Sequence, residues 1–102
     1  MKVGIVYTST TPELIELVEH ELHQNLGEGA EFITFQDPSI LAEVRENEYV
    51  TATASARLIA LYTEAIREGA DVILNCCSSV GEVADCVQDM GKFTGIPIVR
   101  ID

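Results

Sequence analysis

The stretch DVILNCCSSVGE, residues 71–82, decides the predicted fold. It is continuously apolar over residues 72–74, which is typical of a strand that is covered on both faces in a parallel sheet. Residues 79–82 (SVGE) have the S-x-x-E pattern of a capping box, which predicts that a helix begins there. A buried strand that leads directly into a helix is the unit from which parallel α/β sheets are built.

The rest of the chain repeats this alternation of strand and helix patterns. Further strands are predicted at residues 2–7 (KVGIVY), 31–35 (EFITF) and 95–102 (GIPIVRID). Further helices are predicted from Pro12 to the glycines at 27 and 29, from Ser39 to Val44, and over residues 49–68. The order β-α-β-α-α-β-α-β predicts an α/β fold: a four-stranded parallel sheet in the flavodoxin-like order 2-1-3-4, with helices on both faces.

Capping residues and apolar stripes define these helices. Thr11, before Pro12, and Ser39 are the predicted N-caps of the first two. Helical spacing predicts a stripe on the first helix made of Leu14, Ile15, Leu17, Val18 and Leu22. The same spacing predicts a buried face on the helix at 49–68 made of Val50, Ala54, Leu58, Leu61, Tyr62, Ala65 and Ile66.

Composition excludes several classes of protein. The 102 residues predict one domain, and 17 acidic against 6 basic side chains leave a formal net charge of −11. We therefore expect no nucleic-acid partner and no membrane partner, because both attract clusters of Lys and Arg, and no apolar run approaches the ~20 residues of a membrane span. The three cysteines, Cys76, Cys77 and Cys86, suit a reducing compartment, so a cytoplasmic location is predicted.

Ligands of parallel α/β sheets bind at the carboxyl ends of the strands. Three segments are predicted there: residues 8–11 (TSTT), 36–39 (QDPS) and 76–81 (CCSSVG). The first and third contain no charged residue and each leads into a helix N-terminus, where free N–H groups and the helix dipole favour an anion. The pattern indicates a site for a small carboxylate or phosphate. Capping alone explains Thr11 and Ser79, but it does not explain four consecutive hydroxyl residues.

The two adjacent cysteines are the candidate reactive groups. A thiol at a helix N-terminus has a lowered pKa, so it can act as a nucleophile or base. Cys77 is nearest to the predicted cap and is favoured, Cys76 is equally compatible with a structural role, and Cys86 is predicted to be structural. His20 and His23 lie three residues apart, whereas the zincin motif needs four, so no metal is predicted.

Residues 75–82 (NCCSSVGE) resemble the Asp/Glu/hydantoin racemase superfamily, in particular the N-T-C-S-S-V-G-E segment of one of its branches. The opening VGIVYTST and the closing GIPIVRID also resemble elements of this superfamily, so the likeness extends over the whole chain. The resemblance implies cofactor-independent inversion at the carbon next to a carboxylate. One cysteine thiolate removes the α-proton and a second, on the opposite face, delivers another.

The resemblance also implies site residues for a small carboxylate or amino-acid substrate. Cys77 is the implied acid/base, and a shift of one residue would give this role to Cys76. The residues implied to line the pocket are Thr8, Ser9, Thr10, Asn75, Ser78 and Ser79. No cofactor is implied.

Two features depart from the superfamily. Glutamate racemases have an acid after the first strand, where this chain has Tyr7 or Thr8. The second cysteine is also missing, because Cys76 and Cys77 are neighbours and Cys86 lies roughly 13 Å further along a helix at 1.5 Å per residue. The chain therefore resembles the first half of a two-domain enzyme, and we expect it to associate with a missing half or to form a homo-oligomer.

Two other functions stay open. A flavodoxin-like module that binds an anion or nucleotide would use the hydroxyl-rich residues 7–11, although the glycine, the tryptophan and the fifth strand expected there are absent from the sequence. A non-catalytic domain that kept the fold and lost the activity would explain the missing second base. A response-regulator receiver is excluded, because it needs acids after the first strand and an aspartate after the third.

Overall fold

The strands that the structure describes form one parallel sheet. The computed structural model describes residues 1–8, 12–27, 29–76 and 95–100. The strands are β1 (Lys2–Tyr7), β2 (Glu31–Gln36), β3 (Val72–Asn75) and β4 (Ile98–Arg100), in the order β2-β1-β3-β4. All three pairings are parallel, with Gly4 opposite both Ile33 and Ile73. The predicted α/β fold and its strand order are therefore confirmed.

Helices cover both faces of this sheet. The helices within the described residues are α1 (Pro12–Leu26), α2 (Pro38–Asn47) and α3 (Ala52–Arg67). One face of the sheet packs on α1, and we call it the α1 face. Its buried residues form an apolar cluster with Leu14, Ile15, Val18 and Leu22 of α1: Val3, Ile5, Tyr7 and Cys76. The opposite face packs on α2 and α3 through Val6, Ile40, Ala54, Leu58, Tyr62, Ala65, Ala70, Ile73 and Ile98. The helix predicted after Ser79 lies outside the described residues.

Two details of the helices differ from the sequence prediction. Asp37, not Ser39, is the N-cap of α2: its carboxylate accepts the Ser39 N–H at 3.0 Å, and Pro38 takes the first helical position, where its missing N–H costs nothing. Leu17 was predicted in the buried stripe of α1, but it is 58 % exposed. The stripe that packs on the sheet is therefore narrower than predicted and consists of Leu14, Ile15, Val18 and Leu22.

The segment between α3 and β3 turns the chain back into the sheet. Gly69 has a φ of +88°, a left-handed conformation that suits glycine at a helix end, and its N–H donates to the Ile66 carbonyl at 3.0 Å. Asp71 then donates its N–H to the carbonyl of Lys2 at 2.7 Å, which aligns β3 with β1. This register brings the carboxyl ends of β1 and β3 side by side.

Candidate functional site

The carboxyl ends of β1, β2 and β3 lie at one edge of the sheet, which we call the carboxyl edge. Backbone hydrogen bonds extend the sheet past the ends of the strands: Cys76 donates its N–H to Val6 at 2.9 Å and Asp37 donates to Tyr7 at 3.1 Å. The carbonyl of Thr8 accepts the N–H of Leu41 in α2 at 3.1 Å. Backbone hydrogen bonds therefore fix the loop and strand residues at this edge, which is what a preorganised site requires.

Two hydroxyl groups are buried at the end of β1. Tyr7 and Thr8 are both almost fully buried, and neither hydroxyl has a hydrogen-bond partner among the described residues. Burying such a group unpaired costs about 1–3 kcal/mol, and unpaired groups of this kind often mark functional positions. Thr8 is one of the predicted substrate-binding residues, whereas Tyr7 was predicted to bind a ligand only in the alternative flavodoxin-like module.

Tyr7 is surrounded by apolar and acidic groups on the α1 face. Burial raises the pKa of its phenol far above the ordinary value, and electrostatic repulsion of the phenolate by Cys76 and Glu19 raises the pKa further. The Glu19 carboxylate accepts a hydrogen bond from the Thr34 hydroxyl at 3.3 Å. Tyr7 is therefore a neutral phenol at physiological pH, able to donate a hydrogen bond and unable to act as a base.

Asn75 is the last residue of β3 and Cys76 follows it, and their side chains lie on opposite faces of the sheet. Asn75 is fully buried, and its Oδ1 accepts a hydrogen bond from the Tyr62 hydroxyl of α3 at 2.8 Å. Cys76 is 8 % exposed, carries a thiol rather than a disulfide, and belongs to the apolar cluster on the α1 face. The amide is thus held on the α3 side and the thiol on the α1 side of one strand end.

The second predicted segment, residues 36–39 at the end of β2, is occupied by a polar network between α2 and α3. Asp37 caps α2 and also accepts the Ser39 hydroxyl at 2.5 Å. Arg57 of α3 donates to the Ser39 hydroxyl at 2.8 Å and to Glu43 at 3.1 Å, and Glu43 accepts from the Thr51 hydroxyl at 2.6 Å. The N-terminus of α2 is therefore filled by the chain's own carboxylate, which disfavours an added anion there.

The structure brings Thr8, Asn75 and Cys76 to the carboxyl edge. The other predicted site residues lie outside the described residues: Ser9, Thr10, Cys77, Ser78 and Ser79. His23 packs edge-on against Phe32, with ring centroids 4.6 Å apart. Within the described ranges, no group of three or more His, Cys, Asp or Glu side chains is arranged to hold a metal ion.

The sequence analysis missed Tyr7 and Tyr62 as members of the candidate site. Tyr62 was predicted only as part of the apolar face of α3. The sequence contained a signal for the pairing of Tyr62 with Asn75. A tyrosine in a buried stripe needs a partner for its hydroxyl, and Asn75 is a polar residue at the end of an otherwise apolar strand.

Comparisons with protein-family models, with curated proteins and with solved structures return no match. The resemblance to the racemase superfamily therefore rests on the residues quoted above. None of the helices in the described part of the chain is long and apolar enough to cross a membrane.

Proposed function

We propose that this chain contributes to a cofactor-independent isomerase that acts at the α-carbon of a small carboxylate or amino acid, as in the Asp/Glu/hydantoin racemases. Cys77 is the proposed acid/base, and Thr8, Ser9, Thr10, Asn75, Ser78 and Ser79 are the proposed binding residues. The substrate carboxylate is held by neutral hydroxyl and amide donors. The three cysteines suit a reducing cytoplasm.

The observation that carries this proposal is the set of buried polar groups at the carboxyl edge. The Thr8 hydroxyl has no partner among the described residues, and the fully buried Asn75 amide lies at the end of the adjacent strand. An unpaired hydroxyl is costly to bury, so the position of the Thr8 hydroxyl needs an explanation other than packing. A bound carboxylate would give the Thr8 hydroxyl an acceptor next to the strand end that carries Asn75.

The burial of Cys76 favours Cys77 as the acid/base. Cys76 is packed with Val3, Ile5 and Tyr7 in the cluster on the α1 face, and a thiol enclosed by apolar side chains is typical of a structural cysteine. Cys77 is the next residue of the chain and matches the cysteine of the N-T-C-S-S-V-G-E pattern.

The proposed reaction needs two acid/base groups. The Cys77 thiolate takes the α-proton, the electron pair is delocalised into the carboxylate held by the hydroxyl and amide donors, and a second acid returns a proton from the opposite face. Neighbouring cysteines cannot stand on opposite sides of one carbon. The second acid therefore comes from a further half of the enzyme or from a second copy of the chain.

Alkylation with iodoacetamide at pH 6, mapped by peptide mass spectrometry, tests the proposal. A thiol whose pKa is two units below the usual value reacts about tenfold faster at this pH, because its larger thiolate fraction outweighs its lower nucleophilicity. We expect Cys77 to be labelled about tenfold faster than Cys76 and Cys86. Rapid labelling of Cys76 instead would shift the motif by one residue.

Exchange of the substrate α-proton gives the functional readout. The full chain is incubated in D₂O with L-aspartate, L-glutamate or L-alanine, and loss of the α-proton signal is followed by NMR. Cys77→Ala should abolish any exchange, whereas Cys86→Ala is the matched control and should retain it. Equally slow labelling of all three cysteines would reject the isomerase and favour a binding module or a non-catalytic domain.

A further inference from the structure

We propose that the α1 face of strands β3 and β4 is a docking surface for an amphipathic helix of a partner protein. This helix has an apolar stripe toward the sheet and Lys or Arg residues along the side that meets α1. The surface, which we call the β3–β4 patch, consists of Val72 and Leu74 of β3, Val99 of β4 and Leu17 of α1. Such docking goes beyond the proposed reaction and does not depend on it.

Strands β3 and β4 are buried on one face and open on the other. Ile73 and Ile98 pair with each other and are both buried in the cluster on α2 and α3. The next pair, Leu74 and Val99, lies on the α1 face, because successive side chains of a strand alternate between faces. There Leu74 is only half-buried and Val99 is 42 % exposed. A parallel sheet is normally covered on both faces, so the α1 side of these strands is less covered than this architecture requires.

Helix α1 lies over β2 and β1 and leaves this side open. The Glu19 carboxylate accepts the Thr34 hydroxyl of β2 at 3.3 Å, and one turn later His23 packs on Phe32 of the same strand. These contacts identify the flank of α1 that faces β2. Leu17 is about 160° around the helix from Glu19 at 100° per residue, so it lies on the flank toward β3. It is the most exposed apolar residue of α1.

The place beside α1 has the width of one helix. Packed helices lie about 8–10 Å apart and neighbouring strands about 4.8 Å apart, so a helix next to α1 lies about two strands further along the sheet. Because the strand order is β2-β1-β3-β4, this place is above β3 and β4. Among the described helices, α2 and α3 lie on the opposite face. Ile96, two residues before β4, also packs on that opposite face, as a right-handed connection into β4 requires.

The charges beside the patch favour a basic partner. Glu13 and Glu21 lie one helical turn before and after Leu17 on the same flank, and both are exposed without an ion pair in the described part of the chain. Helix α1 contains four glutamates and no Lys or Arg, whereas α2 and α3 on the opposite face contain three arginines. A second copy of the chain would bring the same glutamates and a further net charge of −11, so repulsion disfavours self-association here.

Methyl NMR of the full chain, ¹³C-labelled at Ile, Leu and Val, tests the proposal without any substitution. The probes are two synthetic amphipathic peptides of about 18 residues, or five helical turns, with leucine at helical spacing. One has lysine at the polar positions and the other has glutamate. The lysine peptide should shift the methyl signals of the β3–β4 patch saturably. The controls are Ile73 and Ile98 on the opposite face and Leu26, an exposed residue on the β2 flank of α1, and their signals should not move.

Substitution of the patch tests the apolar contribution. Leu17→Gln should weaken binding of the lysine peptide about tenfold, because docking would bury a leucine side chain that is now exposed. The matched control Leu26→Gln makes the same change on the other flank of α1 and should leave the affinity unchanged. An equal effect of the two substitutions would mean that the peptide binds elsewhere, and it would overturn the proposal.

Removal of charge tests the choice of partner. Glu13→Gln/Glu21→Gln should weaken binding of the lysine peptide about fivefold at low salt, as expected for two exposed ion pairs. Glu46→Gln/Glu68→Gln makes the same change of net charge outside α1 and should have little effect. Equal binding of the lysine and glutamate peptides, or no saturable shift with the lysine peptide, would overturn the proposal. A wild type that sediments as a dimer and becomes monomeric on Leu17→Gln would also overturn it, because a second copy would then occupy the patch.

Discussion

Replacing Gly4 by alanine tests how closely β1 and α3 must approach each other. A Cβ at position 4 would lie 3.0 Å from the Cβ of Ala65 and 3.4 Å from the Cβ of Ala70. Both alanines are buried, and neither has a flexible side-chain end that could move aside. The strand and the helix would have to separate by a few tenths of an ångström.

Gly4→Ala should lower the free energy of unfolding by about 1.5 kcal/mol. Overpacking a core costs about 1–3 kcal/mol, and replacing glycine within a strand recovers about 0.5–1 kcal/mol of backbone entropy. For a chain of this size, with a total stability of about 5–15 kcal/mol, this is a substantial fraction. With an m-value of about 1.5 kcal/mol/M, the midpoint of urea unfolding should fall by about 1 M.

The assay is urea unfolding followed by circular dichroism, for Gly4→Ala, Ala65→Gly and the double variant. Ala65→Gly alone should cost about 1 kcal/mol, because glycine is a poor helix former. The double variant should be more stable than the sum of the two losses predicts, because it removes the crowded methyl group. A midpoint for Gly4→Ala within 0.3 M of the wild type (an error of about 0.5 kcal/mol), or strictly additive losses, would refute the close approach.

Two further predictions concern a buried hydroxyl and a strained backbone. Tyr7→Phe removes a buried hydroxyl that has no partner among the described residues, so it should stabilise the chain by about 1 kcal/mol at neutral pH. Because burial raises the pKa of Tyr7 above the unfolded value of 10.0, the folded state favours the neutral phenol, and wild-type stability should fall as the pH rises above 10. Between pH 9 and 11, the midpoint of urea unfolding should fall less for Tyr7→Phe than for the wild type. An equal fall of the two midpoints would contradict this prediction. Glu48 has a φ of 64° at the end of α2, so Glu48→Gly should stabilise by about 1 kcal/mol in thermal unfolding, whereas the control Glu46→Gly, inside α2, should destabilise by a similar amount.

The strand order could be predicted because the apolar pattern changes its period along the chain. Short apolar runs alternate with stripes of helical spacing, and this alternation allows few arrangements other than a parallel sheet. The first and last residues of the helices were less predictable. Helix α2 was predicted from Ser39 to Val44 and extends over Pro38–Asn47, because Asp37 competes successfully for the cap and Glu48 tolerates a left-handed conformation. Neither outcome is determined by hydrophobic spacing.

The candidate site was predictable only in part. In a sheet of order 2-1-3-4 the first and third strands are neighbours, so the shared edge of Thr8, which follows the first strand, and Asn75, which ends the third, follows from topology. The partner of Asn75 does not follow from it, because Tyr62 is 13 residues earlier and belongs to a different layer. Which of the residues in an apolar stripe reaches a polar group depends on the distance between helix and sheet, and that distance depends on packing.

The packing of α3 on the sheet determines whether Tyr62 can reach Asn75. The small residues Gly4 and Ala65 let α3 lie close to the sheet, and this closeness lets the Tyr62 hydroxyl reach Asn75 Oδ1 at 2.8 Å. Hydrogen bonds of this type weaken as the two oxygens separate beyond about 3.0 Å. A shift of a few tenths of an ångström, as in Gly4→Ala, would thus stretch the bond between Tyr62 and Asn75. A loss of stability in the core and a weaker Tyr62–Asn75 hydrogen bond should appear together in that variant, although the nearest neighbours of a Cβ at position 4 are Ala65, Ala70 and Ile73.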